Sequence, residues 1–269
     1  MRFVRIVLYI PIALYLALFI YAWLFSDSAI FLPHPSSYRD DSEILKLTTR
    51  DGRRISAVYL PNTEAQYTLL VSHGNAEDLG DDRYWLRDLH RAGFGVFAYD
   101  YAGYGTSEGK PGEKAAHEDE EAAYDYLTAS LGVQASRVII FGRSVGTGPA
   151  VELAARKPAA ALILQSPFLS AFRVLTRIAI LPFDRFPNYK RIGQVHCPVL
   201  IMHGLADRVI PVWHGQKLYD LANQPKDHFW VPGADHNDLD SVAKQSYAQT
   251  LRTFASSLDM KFSDQSHSR

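Results

Sequence analysis

Cysteine is almost missing from the 269 residues: Cys197 stands alone. One thiol excludes an internal disulfide and any cysteine-rich metal site, and it is compatible with either redox compartment. Beside an apolar run, Cys197 reads as a small buried hydrophobe. Excess charge is missing too. Lys and Arg number 28 against 29 Asp and Glu, a net charge of −1. Nothing there suits a phosphate backbone, so no nucleic-acid partner is expected. No set of His, Asp and Glu has metal-ligand spacing, and no P-loop lysine follows a strand, so neither a metal nor a cofactor is expected. Internal repeats and low-complexity tracts are absent. What is abundant is apolar: 47% of the residues are hydrophobic, enough for a sizeable core in one or two domains.

The apolar residues are unevenly placed. From Ile6 to Phe25 the run "IVLYIPIALYLALFIYAWLF" carries no charge. Its length matches a helix that crosses the hydrocarbon core, which takes about 20 residues. A cleaved signal peptide would have an apolar stretch of roughly 7–15 residues and a small-residue cleavage site. "YAWLFSDSAIF" offers no such site, so an uncleaved signal anchor is the favoured reading over a cleaved signal or a buried core helix. Pro11 is tolerated in such a helix, and Tyr21 and Trp23 suit its interfacial end. Arg2 and Arg5 precede the run and Asp27 follows it. The positive flank predicts a single-pass protein with its N-terminus inside and its main domain extracytoplasmic. The organisation expected is an anchor at 1–25, a linker at 26–42 with two prolines, a domain at 43–260 and a polar, frayed tail at 261–269.

Within the domain, "ILKLTTRDGRRISAVYL" alternates around Asp51-Gly52, a hairpin signal. Short apolar runs follow at 67–74, 95–100, 137–142, 160–166, 198–204 and 228–233. Most are too continuous for one-sided strands, so both faces should be buried. Helical patterns such as "DRYWLRDLHRAG" and "GPAVELAARK" separate most of them. Strand and helix in alternation predict an α/β fold: a mostly parallel central sheet, helices on both faces, and an antiparallel hairpin at one edge. The acidic "HEDEEAAYD" reads as the solvated face of one helix. "YDYAGYGTSEG" at 99–109 reads as a glycine-rich turn near the edge where the strands end.

One motif carries chemistry. "VIIFGRSVGTG" runs an apolar strand into Gly142-Arg143-Ser144-Val145-Gly146 and then a helix. That is the pattern of a nucleophile elbow, which exposes a serine hydroxyl on a tight strand-to-helix turn. The pentapeptide alone would equally be a simple turn; the strand before and the helix after favour catalysis. A serine needs a base. In this architecture the order is Ser, acid, His. His236 lies in "GADHNDL" after the last strand and is the candidate base. His203 ends a strand but precedes the candidate acid, His196 lies at the wrong edge, and His214 and His228 look like surface residues. His73 reads as structural, positioning its loop. Asp207, in "HGLADRVIP" after the strand 198–204, is the candidate acid. Asp184, Asp235 and Asp238 are weaker candidates. The oxyanion of an acyl-transfer intermediate needs two backbone N–H donors. Val145 is one candidate, and Asn75 in "SHGNAEDLG" is the other, with Ala76 next.

These stretches, with "YDYAGYGTSEGKP", "LQSPFLSAFRV" and "FPNYKRI", resemble the α/β-hydrolase domain-containing family over roughly residues 30 to 258. The sequence looks closest to its membrane-associated group, which includes protein depalmitoylases. The resemblance implies an α/β-hydrolase fold and a serine hydrolase acting through Ser144, Asp207 and His236 on acyl esters or thioesters, of small molecules or of proteins. Two departures stand out. The N-terminal cysteine cluster of that group is replaced by a hydrophobic helix, and Asp235 occupies a position where glycine is usual. From Pro167 to Pro198 there is room for a short lid of one helix and a loop. An amidase or peptidase of the same fold, and a membrane-anchored binding scaffold, are the alternatives.

Overall fold

A computed structural model describes residues 2–266. Its organising feature is the set of apolar runs, which pair into an eight-stranded sheet. In chain order the strands are β1 (Leu45–Thr48), β2 (Arg54–Leu60), β3 (Thr68–Ser72), β4 (Gly95–Tyr99), β5 (Val138–Arg143), β6 (Ala161–Gln165), β7 (Val199–Gly204) and β8 (Lys226–Val231). The spatial order is β1-β2-β4-β3-β5-β6-β7-β8. β1 and β2 form the expected hairpin, β2 pairs antiparallel with β4, and every later pairing is parallel.

The continuous hydrophobicity of the central strands follows from coverage of both faces. On β5, Val138 and Ile140 join one core with Leu70, Phe97 and Leu162. Ile139 and Phe141 join the other with Leu69, Val96 and Ile163. The first core is closed by α3 (Glu113–Asp125), α4 (Thr147–Ala154) and α7 (Trp213–Leu221). The second is closed by α2 (Arg83–Arg91), α8 (Leu239–Ala243) and α9 (Gln245–Ser266). This is the α/β-hydrolase arrangement, with every strand-end loop that follows β3, β5, β7 and β8 on one edge of the sheet.

The acidic helix departs from expectation. In α3, Asp119 and Glu120 are fully buried rather than solvated. Asp119 accepts hydrogen bonds from Arg53 Nη1 (2.9 Å) and the Ala102 N–H (2.8 Å). Glu120 accepts from Ser72 Oγ at 2.8 Å, and burial pushes its carboxyl up to about 8. Buried carboxyls survive when they are paired or neutral, and here one is paired and the other is neutral at pH 7.

The segment between β6 and β7 forms a small lid: α5 (Ala171–Thr176), a loop, and α6 (Asn188–Arg191). The N-terminal helix, α1 (Arg2–Ile30), extends five residues beyond the apolar run. Residues 26–42 are therefore no free spacer. Ser26 is buried and accepts from Arg185 Nε at 2.8 Å. Phe31 sits in the first core, and Tyr38 OH donates to Asp100 at 2.6 Å. At the other end α9 runs helical to Ser266, so a frayed tail from 261 does not describe residues 261–266; residues 267–269 lie outside the described part.

Candidate active site

Ser144 stands where β5 gives way to a tight turn, Ser144–Gly146, and then to α4. Its φ is +51°, a conformation that costs a non-glycine residue about 1 kcal/mol or more. The two flanking glycines make that turn possible. A Cβ at Gly142 would lie 2.6 Å from the Gly146 carbonyl and 2.8 Å from Ala150 Cβ, and one at Gly146 would overlap the Ser72 carbonyl. The second clash has a further meaning. The elbow is packed directly on the end of β3, where the loop carrying Asn75 begins, so the two segments expected to supply oxyanion donors touch.

His236 and Asp207 arrive from the loops after β8 and β7. His236 Nδ1 lies 2.8 Å from Asp207 Oδ2, and Nε2 lies 2.8 Å from Ser144 Oγ. With Nδ1–H donating to the carboxylate, Nε2 is left to accept from the serine hydroxyl. Both His236 and Asp207 are buried. The other Asp207 oxygen accepts from the Val209 and Ile210 N–H groups at 2.9 and 2.7 Å. Burial alone would raise this carboxyl; hydrogen bonds from His203, His236 and the Ile210 amide outweigh it and hold the group well below the usual carboxylate range.

The competing acids are occupied elsewhere. Asp184 accepts from Ser170 Oγ, the Phe172 N–H and the Arg185 N–H. Asp235 accepts from the backbone N–H and Nε of Arg208 and from the His236 N–H. The departure from glycine at 235 thus ties the histidine loop to the acid loop. Asp238 accepts from the Asp235 N–H at 2.7 Å.

Among the histidines, one departs from its reading and another has a role beyond it. His214 is fully buried, not a surface residue: its Nδ1 accepts from the Leu169 N–H at 3.2 Å, and burial holds its pKa down to about 4. His203 supports the acid from behind. Its Nε2 donates to the Ile210 carbonyl at 2.8 Å and lies 3.1 Å from Asp207 Oδ2. Its place at the end of β7, four residues before Asp207, was the signal available in the sequence. His73 is buried beneath the Asn75 loop; burial opposes its charge, but Asp100 at 3.3 Å prevails and pushes it up to about 9. Arg143, beside the nucleophile, is turned away from it, lying 3.1 Å from Glu77 and 3.3 Å from Asp82 and stacking over Trp85.

The Asn75 side chain has a role that its sequence context does not reveal. Its Nδ2 donates to the Ile30 carbonyl at 2.6 Å. Its Oδ1 accepts from the Leu32 N–H (2.9 Å), the Ala76 N–H (2.9 Å) and Tyr104 OH (2.7 Å). The glycine-rich turn after β4 and the end of α1 thus clamp the loop that carries the candidate oxyanion donors.

Comparison with known proteins extends the geometry. Residues 63–184 match the model of a family described as serine aminopeptidase, S33. The chain is 41% identical over 230 residues to alpha/beta hydrolase domain-containing protein 17B of Homo sapiens, covering 83% of this chain and 78% of that one. It is 40% identical to protein 17C of Xenopus laevis, covering 81% and 70%. The chain belongs to the α/β-hydrolase domain-containing family. As a member of it, the chain is a serine hydrolase of the α/β type. Its fold is shared with an esterase from Pyrococcus furiosus (TM-score 0.71, 17% identity, 85% of this chain and 98% of that one). It is shared as well with a monoacylglycerol lipase from Paleococcus ferrophilus (TM-score 0.61, 21% identity, 76% and 99%).

Proposed function

We propose that this α/β-hydrolase cleaves acyl esters or thioesters, of small molecules or of acylated proteins, at a membrane that α1 anchors it to. The observation that carries the reading is the unbroken chain from Ser144 Oγ through His236 to Asp207, with both links at 2.8 Å. Ser144 Oγ attacks the acyl carbon as its proton passes to His236 Nε2. Asp207 holds the ring and stabilises the imidazolium without taking the proton. The backbone N–H groups of Asn75 and Val145 stabilise the oxyanion. His236 then protonates the departing alcohol or thiol, leaving an acyl-serine. Water, losing its proton to His236, attacks that ester and releases the acid and the free serine.

The membrane part of the reading rests on Tyr9–Ile30, 22 residues containing an 18-residue window of mean hydropathy 1.8 with few of its residues buried. At 1.5 Å per residue they reach about 33 Å, the thickness of a hydrocarbon core. The basic flank supports an extracytoplasmic catalytic domain.

A second reading, an aminopeptidase or amidase, is favoured by the description of the family model over residues 63–184. A panel of an ester, a thioester and an aminoacyl anilide with one purified enzyme separates the two. The ester and thioester are expected to turn over and Ser144→Ala to abolish both; preferential cleavage of the anilide would reverse the assignment.

A further inference from the structure

We propose that the groove between α1 and the lid holds the acyl chain of the substrate, and that it opens laterally into the bilayer. This rests on the acyl-hydrolase reading above. The groove is a cavity of about 210 Å³ with Leu18, Ala22 and Ile30 on the α1 wall and Phe172, Ile178 and Phe183 on the lid wall. α1 is seated on the lid by specific contacts: Phe19 and Trp23 each pack edge-on against Phe183 at 5.3 Å, and Tyr15 OH donates to the Ile180 carbonyl.

Three observations select the occupant. First, the polar groups lining the groove other than the exposed Tyr21 hydroxyl are already satisfied. Ser26 accepts from Arg185, Asp184 accepts from Ser170 and two backbone N–H groups, and Thr176 Oγ1 lies in hydrogen-bond range of the Phe172 and Ile178 carbonyls. A ligand deep in the groove meets apolar contact. Second, the inner end points toward the chemistry: Ile30, which lines it, is held through its carbonyl by Asn75, on the loop packed against the Ser144 elbow. Third, the outer end is open and greasy. Leu175 is 88% exposed and Ile178 67% exposed, next to an α1 whose outward face is almost wholly apolar and exposed. A cluster of this kind beside a span-length helix marks a membrane contact. With the acyl carbonyl at Ser144, an aliphatic tail passes Ile30, runs between α1 and the lid, and leaves at Leu175 and Ile178 among the lipid chains. The lid loop enters the bilayer beside the helix.

The test uses the full chain in detergent micelles. The Ser144→Ala protein is photolysed with a hexadecanoyl thioester bearing a diazirine at the chain end, and the adducts are mapped. Adducts are expected within 18–30 and 171–184, lost on competition with the plain hexadecanoyl thioester and strongly reduced by Ala29→Trp or Ala179→Trp, two exposed positions in the groove walls. Adducts confined to 9–16, or to the loop of Leu205 and Val209, or indifferent to both tryptophans, would overturn the proposal. In parallel, the two tryptophan variants with Ser144 intact are expected to lose about tenfold or more in kcat/KM on the hexadecanoyl ester while keeping acetyl ester turnover within about twofold of the native chain. Equal loss on both esters also overturns it. Failure of the underlying reading shows separately, as native enzyme that turns over neither ester; the adduct positions then decide whether the groove takes the chain.

Discussion

At the residue scale the site depends on second partners as much as on the three side chains in line. Asp207 is held by His203 and two backbone amides as well as by His236. Asp207→Asn keeps the shape but favours the wrong tautomer of His236. Steady-state kinetics should show kcat lower by about 10⁴-fold with the fold intact by circular dichroism; a loss below about tenfold would remove Asp207 from its role. Asn75→Ala keeps the backbone N–H but releases the clamp to Ile30, Leu32 and Tyr104. A displacement of about 1 Å costs on the order of 10²-fold, so kcat should fall by that order with KM little changed; an effect confined to KM would contradict a positioning role. Ser144, Asp207 and His236 were legible because each sits where a recognisable strand ends. The role of the Asn75 side chain was not, since its partners at the end of α1 and in the turn after β4 are brought to it only by folding; His203 offered one clue, its place four residues before Asp207.

At the scale of elements, sheet and helices were legible because the pattern of burial is written along each strand. β3 to β7 are buried on both faces, and their runs are continuous. α3 departs from its sequence pattern at two positions for a physical reason. An acidic run looks solvated unless the partners are known, and those of Asp119 and Glu120 are Arg53, just before β2, and Ser72, at the end of β3, both far away in sequence. Glu120 has a testable consequence. Its folded pKa of about 8 exceeds the ordinary 4.5, so between those values the folded chain keeps a proton that the unfolded chain releases. Stability is therefore expected to fall as pH rises from about 5 to 8. Glu120→Gln, a mimic of the neutral acid, should flatten the part of that slope due to this group in thermal melts; identical slopes for the two proteins would contradict the assignment. α1 provides another comparison. A chain starting at Tyr15 keeps every partner of Asn75, whereas one starting at Pro33 loses Ile30, Phe31 and Leu32. On an acetyl ester in detergent the first should match the full chain and the second should drop about tenfold or more in kcat. Equal activity of the two would show that the end of α1 does not position the donor loop.

For the whole molecule, the strand order decides the function. The loops after β3, β5, β7 and β8 share one edge, so a donor loop, a nucleophile, an acid and a base distant in the chain converge there. The N-terminus of the described chain bears on the same edge. The N-terminal helix α1 docks on the lid and reaches the donor loop through Ile30. The N-terminal helix and the active site are then one structure, a relation that composition and periodicity alone do not reveal. The central claim, that Ser144 forms the covalent acyl intermediate, is tested most directly by peptide mapping after reaction with a fluorophosphonate. One phosphonylated residue is expected, Ser144, with loss of fluoride and of esterase turnover together, and no adduct in Ser144→Ala. Labelling at another residue with turnover abolished, or undiminished labelling of Ser144→Ala, would contradict it.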